Sequence, residues 1–246
     1  MITSYDDVRL AIAKSATYSH FVSHNMKKSI YILTIIMNAV IATGQELNVP
    51  KNYSIVDSIS GDLDGDSISE LVVIYNTISD AEEQSVPREL IIYKLKNNKK
   101  WRQWKCSKQA LYGSKDGGMM GDPFGELLIE NDNLLISHFG GTSWKWGFTD
   151  KYGLIDDEFY LIGYTSNAGK LCEYWQNVDF DILSGEISIT KEYEKCEEGE
   201  QHINNIENER FNQKGVQITM QGRQERELKI TSPKYGHEIY IAIGRD

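Results

Sequence analysis

Residues 61–70 contain the clearest set of candidate metal ligands in this chain. The segment reads Gly-Asp-Leu-Asp-Gly-Asp-Ser-Ile-Ser-Glu, with carboxylates an even number of residues apart at Asp62, Asp64, Asp66 and Glu70. A hard cation such as Ca2+ takes about six to eight oxygen ligands, and a tight loop with acids at such positions can turn them inward. Ile68 would contribute its backbone carbonyl, because its side chain has no ligand atom. The spacing therefore predicts a calcium loop.

An EF-hand loop does not fit these residues. Counted from Asp62, the sixth position is Ser67 instead of Gly, and the twelfth is Val73 instead of Glu. Residues 71–75 are rich in β-branched and aromatic side chains, which predicts a strand where an EF-hand has a helix. A polar turn whose Asp side chains cap nearby backbone groups stays open as the alternative to a cation site.

Residues 61–75 resemble the FG-GAP repeats of integrin-α-type β-propellers, and the whole chain resembles exported FG-GAP-type proteins of Bacteroidetes. The resemblance implies that calcium is bound by Asp62, Asp64, Asp66, the Ile68 carbonyl and Glu70. The chain departs from the family pattern at Ser67, where Gly is common, and at Glu70, where Asp is common. A propeller has about four to eight blades, and the sequence contains no second copy of the loop.

Aromatic residues near position 146 form a second candidate site. Trp144 and Trp146 lie two residues apart in a predicted strand and so share one face. Together with Phe148 they could form a platform that stacks on a sugar or a peptide. The alternative is an ordinary core face of a sheet. The glycine-rich segment 113–125 lacks the Gly-Lys-Ser/Thr ending of a phosphate-binding loop.

Enzyme motifs do not occur in the sequence. The serine-hydrolase elbow, the His-Glu-x-x-His zinc motif and a Cys-x-x-Cys pair are all missing. Three histidines follow residue 45, at His138, His202 and His237, and they are widely spaced. We therefore expect a non-catalytic protein. Two alternatives stay open: a secreted carbohydrate-active hydrolase with an unidentified acid pair, and a periplasmic inhibitor-like protein that uses loop 113–125.

Short runs of Val, Ile, Tyr, Phe and Trp, separated by Gly, Asn, Asp and Ser, predict a mainly β fold. The predicted strands cover residues 54–59, 70–76, 88–95, 101–107, 126–129, 134–139, 144–152, 158–164, 171–182, 186–193, 215–220, 227–231 and 238–243. Short connections favour an antiparallel meander, with hairpin turns at 130–133 and 184–185. We expect a partial β-propeller-like or sandwich arrangement with little helix, and we interpret residues 192–210 as a solvated loop or a short polar helix.

Residues 26–44 have the layout of a signal peptide. Lys27 and Lys28 precede an apolar run over residues 30–42, and small residues follow before an expected cleavage site at Gln45. We interpret residues 1–25 as a non-native upstream extension and residues 45–246 as a single β-rich domain. The alternatives are a membrane anchor and a buried amphipathic helix. An anchor is disfavoured because the run has 13 residues and a spanning helix needs about 20.

Charge and cysteine content bear on the partner and the compartment. The formal net charge of −10 disfavours a nucleic-acid partner. In an oxidising compartment Cys172 and Cys196 are the better candidates for a disulfide, which leaves Cys106 free, and three buried thiols are the alternative. We expect a periplasmic or secreted, calcium-stabilised binding or scaffold module that contacts a protein or glycan of the cell envelope and has no membrane span after signal cleavage.

Overall fold

The computed structural model describes residues 47–77, 85–96, 100–197, 200–225 and 227–241. The predicted upstream extension, 1–25, and the predicted signal peptide, 26–44, lie outside these residues, as does the cleavage site before Gln45. Within the described ranges, no helix is long and apolar enough to cross a membrane. The elements there are thirteen strands and one short 3₁₀ turn, Gly118–Met120.

The first four strands form an antiparallel sheet in chain order. They are β1 (Ser54–Gly61), β2 (Glu70–Asn76), β3 (Arg88–Leu95) and β4 (Trp101–Ser107). The two central strands, β2 and β3, are buried on both faces, which explains their nearly continuous apolar runs. Val72 and Ile74 face the main core, whereas Val73 and Tyr75 face a smaller cluster that includes Tyr53.

The next seven strands form an antiparallel meander in chain order. They are β5 (Phe124–Glu130), β6 (Asn133–Gly141), β7 (Lys145–Ile155), β8 (Glu158–Lys170), β9 (Tyr174–Asp181), β10 (Glu186–Glu197) and β11 (Glu200–Asn212). Asn131 and Asp132 have positive φ angles of 48° and 61°, as a two-residue type I′ hairpin turn requires. Both predicted hairpin turns, at 130–133 and 184–185, are confirmed.

A two-stranded sheet of β12 (Leu228–Thr231) and β13 (Glu238–Ile241) completes the fold. All three sheets contribute to one buried apolar cluster, with Ile74 from the first, Ile136 from the second and Ile239 from the third. The Trp104 and Phe159 rings pack at 71° to each other, with 5.6 Å between ring centroids, and so join β4 to β8. The predicted mainly β, antiparallel fold with little helix is confirmed.

Two sequence predictions about strands are wrong. Most of residues 192–210, predicted as a loop or polar helix, extend β10 and form β11. Because most of β11, an edge strand of the meander, is exposed, it has no apolar alternation that could reveal it. Residues 215–220, predicted as a strand, form only an isolated bridge between Thr219 and Tyr160.

Two predicted strands begin later than expected. The strand predicted from residue 144 starts at Lys145, and the one predicted from residue 171 starts at Tyr174. The first residues of the latter, 171–173, instead form the turn between β8 and β9.

The predicted disulfide between Cys172 and Cys196 is present, with 5.2 Å between the two Cα atoms. It joins the turn between β8 and β9 to the end of β10. Glu194 supports the same turn, because its carboxylate accepts a hydrogen bond from the backbone N–H of Cys172. Cys106 is free and half-buried.

Replacing both bridged cysteines, as in Cys172→Ala with Cys196→Ala, is expected to lower the free energy of unfolding by about 3 kcal/mol. The bridge spans a sequence separation of 24, and opening it returns loop-closure entropy to the unfolded chain. Urea unfolding measures the loss, and Cys106→Ala is the control for removal of a thiol. A stability equal to that of the control would contradict the prediction.

Candidate functional site

The segment between β1 and β2 is held in a tight loop by Asp62. Its carboxylate accepts hydrogen bonds from the N–H groups of Gly65 and Ser67, both at 2.7 Å, and from that of Asp64 at 3.2 Å. Burial opposes ionisation of Asp62, but these backbone hydrogen bonds outweigh it and lower the pKa of the carboxyl below its ordinary value. The Asp62 side chain is thus kept ionised at the centre of the loop.

Three of the predicted ligands converge. One carboxylate oxygen from each of Asp62, Asp64 and Glu70 lies within 4.8 Å of the others. Glu70 is only 1% exposed, and its Oε2 atom accepts a hydrogen bond from the N–H of Leu63 at 2.8 Å. Burial raises the pKa of Glu70, and the Leu63 hydrogen bond opposes that shift. Leu63 itself is packed in the core, which ties the loop to the interior.

Asp66, the fourth carboxylate predicted as a ligand, lies outside this group. Asp66 is exposed, and its carboxylate accepts a hydrogen bond from the N–H of Ile68 at 2.7 Å. The side chain of Ile68 is 53% exposed, in keeping with a residue that would act only through its carbonyl. Of the four carboxylates predicted as ligands, the structure therefore brings three together.

Lys94 belongs to the site and was missed by the sequence analysis. Its ammonium group bonds the Asp64 carboxylate and lies 3.8 Å from the centroid of the Trp104 ring. Burial opposes the charge on Lys94, but the bond to Asp64 outweighs it and raises the pKa. Alternation along β3 could have indicated this position, because Lys94 shares a face with the buried residues Leu90 and Ile92.

The donor set fits a hard cation. Ionised, the carboxylates of Asp62, Asp64 and Glu70 carry three negative charges, and Lys94 supplies one positive charge against them. Carboxylate oxygens are the ligands that calcium prefers, and Asp62 Oδ2 and Glu70 Oε2, which each accept one backbone hydrogen bond, keep a further lone pair. The backbone hydrogen bonds to Asp62 are also those expected of a polar turn without a cation. The loop thus contains both a capped turn and a cluster of three acids.

Ser67 occupies the position where FG-GAP repeats commonly have Gly, and its φ angle is +67°. Ser67→Gly is expected to raise the free energy of unfolding by about 0.5–1 kcal/mol, because glycine adopts this left-handed conformation without the steric cost of a Cβ atom. Ser69→Gly is the matched control, since Ser69 is outside the positive-φ region and gains no such relief. Thermal unfolding of both variants checks the prediction, and equal shifts would contradict it.

The predicted aromatic platform is divided in the structure. The Trp146 and Phe148 rings stack with centroids 5.9 Å apart, and both are half-buried. Trp146 packs closely over Gly140, where a Cβ atom would lie 2.4 Å from the tryptophan ring. Trp144 precedes β7, is 39% exposed and contacts Tyr174, with 5.1 Å between centroids. Phe148 therefore packs against the core, Trp146 lies half-buried beside it, and Trp144 is partly exposed.

A buried polar network lies beneath Phe148. Arg223 donates two hydrogen bonds to Asp150, at 2.6 and 3.0 Å, and both side chains are almost fully buried. His138 stacks on Phe148 and accepts a hydrogen bond from the N–H of Tyr112 at 3.4 Å. Asp122 is paired with Arg88. The acids of this region, Asp150 and Asp122, are thus each held by an arginine.

His138 generates a pH-dependent prediction. Burial lowers the pKa of His138 from 6.5 to about 4. As the pH falls from 6.5 to about 4, the unfolded chain binds a proton that the folded chain does not, so stability is lost across this window, by up to about 3 kcal/mol.

His138→Gln is expected to flatten the stability profile over this pH range, as measured by urea unfolding at a series of pH values. The exposed His202 provides the control variant, His202→Gln. If the unfolding free energy of His138→Gln fell with pH as much as that of the unsubstituted chain, His138 would not be the source of the acid sensitivity.

Comparison of the chain with protein-family models, curated proteins and solved structures gives no match. The FG-GAP resemblance stays a prediction that rests on the loop residues.

Proposed function

We propose that this chain is an exported, calcium-stabilised, β-rich binding or scaffold module of the cell envelope, and that it is not an enzyme. The observation that carries the proposal is the convergence of Asp62, Asp64 and Glu70 on one loop. Calcium there would neutralise the repulsion among three carboxylates and so hold the connection between β1 and β2.

The proposed role of the cation is structural, because the loop is continuous with the core. Glu70 begins β2 and is buried, and Leu63, at the start of the loop, packs in the main apolar cluster. A bound cation would therefore stabilise the fold around these residues as well as the loop itself. A cation that binds only the folded state raises stability by RT ln(1 + c/Kd), where c is the cation concentration, so the gain grows with cation concentration.

Export is supported by two independent features. The segment 26–44 has the charge and apolar pattern of a signal peptide. Cys172 and Cys196 form a disulfide, a bond that persists in oxidising compartments such as the periplasm or the extracellular space. We propose a protein or glycan of the envelope as the partner.

Calcium titration followed by thermal unfolding tests the cation site. Extracellular modules bind calcium with dissociation constants of about 10⁻⁴ to 10⁻³ M, so about 10 mM Ca2+ is expected to add roughly 1.5–3 kcal/mol of stability, or several degrees in Tm. Asp64→Ala and Glu70→Gln are expected to abolish this shift. Lys94→Gln is expected to tighten calcium binding several-fold, because it removes the positive charge that competes for Asp64.

Asp179→Asn is the matched control, because Asp179 is an exposed acid on β9, far from the loop in sequence. It is expected to keep the full calcium response. A chain whose Tm does not change at about 10 mM Ca2+ would refute the calcium site and favour the polar-turn alternative. Sequencing of the exported chain's N-terminus tests the cleavage before Gln45.

A further inference from the structure

A row of aromatic side chains crosses the meander at the end that carries the disulfide. We define the aromatic row as Trp144, Tyr174 and Tyr193. Tyr174 on β9 and Tyr193 on β10 are direct cross-strand partners, with ring centroids 6.0 Å apart. The Trp144 ring continues the row on the other side of Tyr174, at 5.1 Å. The row is thus a continuous surface that no single stretch of sequence contains.

The aromatic row lies where the core-facing side of the sheet becomes accessible. Along β9, Tyr174 shares its face with Val178 and Phe180, which are buried in the core, but Tyr174 itself is half-buried. Tyr193 is also half-buried, and Trp144 is 39% exposed. Two described cavities, one beside the loop 62–69 and one along residues 213–228, contain none of these residues. The row is therefore a ring-lined surface outside those cavities.

Lys191 places a cation on this surface. Its Nζ atom is 3.7 Å from the centroid of the Tyr174 ring and 5.3 Å from that of Tyr193. Among the described residues, no carboxylate lies within ion-pair distance of this ammonium group. Burial lowers the pKa of Lys191, and Glu207, its cross-strand neighbour, only partly opposes that shift. The ammonium group is thus a hydrogen-bond donor that lacks a close anionic partner.

Two acids and a second lysine border the aromatic row. Lys170 is the cross-strand partner of Tyr174 and lies 6.0 Å from the Trp144 ring, but it is already paired with Glu173. Glu207 accepts a hydrogen bond from the Tyr193 hydroxyl at 3.0 Å and lies 3.1 Å from the Nε2 atom of His237. Lys191 is therefore the group best placed to receive an anion.

We propose that the aromatic row binds an acidic polysaccharide, with sugar C–H faces stacked on Trp144 and Tyr193 and a sugar carboxylate bound by Lys191. A uronic-acid polymer offers both chemistries in each acidic unit, an apolar ring face for an aromatic side chain and a carboxylate for an ammonium group. A row of three rings offers more than one stacking surface to a polymer of repeating sugar units. The inference rests on the proposed function, because it names the envelope ligand of that module.

Calorimetric titration with short uronic-acid oligomers tests the proposal. The probes are oligogalacturonate and oligomers of alginate and hyaluronate, beside methyl-esterified oligogalacturonate, which keeps the ring faces and loses the charge. Binding of at least one acidic oligomer is expected, with about tenfold weaker binding of the ester and of both Trp144→Ala and Lys191→Met. Raising NaCl from about 0.05 to 0.5 M is expected to weaken the acidic complex, because salt screens the Lys191 contact.

Matched controls separate the aromatic row from general surface effects. Tyr240, like Trp144, is 39% exposed but lies on β13, so Tyr240→Ala is expected to bind normally. Lys214→Met removes an exposed lysine outside the row and is expected to do the same. Thermal unfolding of each variant confirms that it is folded before binding is scored.

Three results with the uronic-acid oligomers would overturn the proposal. They are no binding of any acidic oligomer, equal binding of the esterified oligomer, and equal binding by both row variants and the unsubstituted chain. Binding of poly-glutamate with the same dependence on Trp144 and Lys191 would also overturn it, in favour of an acidic protein partner. The calcium titration is scored separately, so a calcium response without oligomer binding removes this inference and leaves the proposed calcium site in place.

Discussion

The buried ion pair between Arg223 and Asp150 is the interaction on which the arrangement of the sheets depends. A buried charge without a partner is costly in free energy. The pairing of Arg223 with Asp150 therefore fixes the segment around Arg223 against β7. The same segment reaches β4 and the residues after it, since Ser107 donates a hydrogen bond to the Met220 carbonyl and Gln224 donates to the carbonyls of Gln109 and Leu111. Residues 219–224 therefore join the four-stranded sheet to the meander.

In the acidic loop, negative carboxylates are likewise held beside a positive side chain. The carboxylates are placed by backbone hydrogen bonds and by the burial of Glu70, and Lys94 then compensates part of their charge from β3. The stacking of Lys94 on Trp104 connects this compensation to β4. A structural cation and a lysine can thus share one acidic cluster, with Asp64 as the residue for which they compete.

The disulfide end of the meander combines rigidity with exposed aromatic surface. The bridge between Cys172 and Cys196 fastens the turn before Tyr174 to the end of the strand that carries Tyr193. Because large aromatic side chains lose few degrees of freedom on contact, a surface of fixed rings can bind at low entropic cost. The acidic loop and the aromatic row involve different residues, so stabilisation and recognition can be separate tasks of the proposed module.

The sequence by itself left the Cys172–Cys196 bridge open against three buried thiols, but it determined the mainly β, antiparallel fold, two hairpin turns and the acidic loop. These features depend on local information: β-branched runs, turn residues with positive φ angles, and acids spaced within ten residues. Only the tertiary structure decided that β11 is a strand, that Lys94 enters the loop, and that Trp144 joins Tyr174 and Tyr193. Most of β11 is exposed and so leaves no apolar pattern, and the contacts of Lys94 with Asp64 and of Trp144 with Tyr174 each join residues 30 positions apart. Such pairings follow from strand register and sheet packing, which a local pattern does not specify.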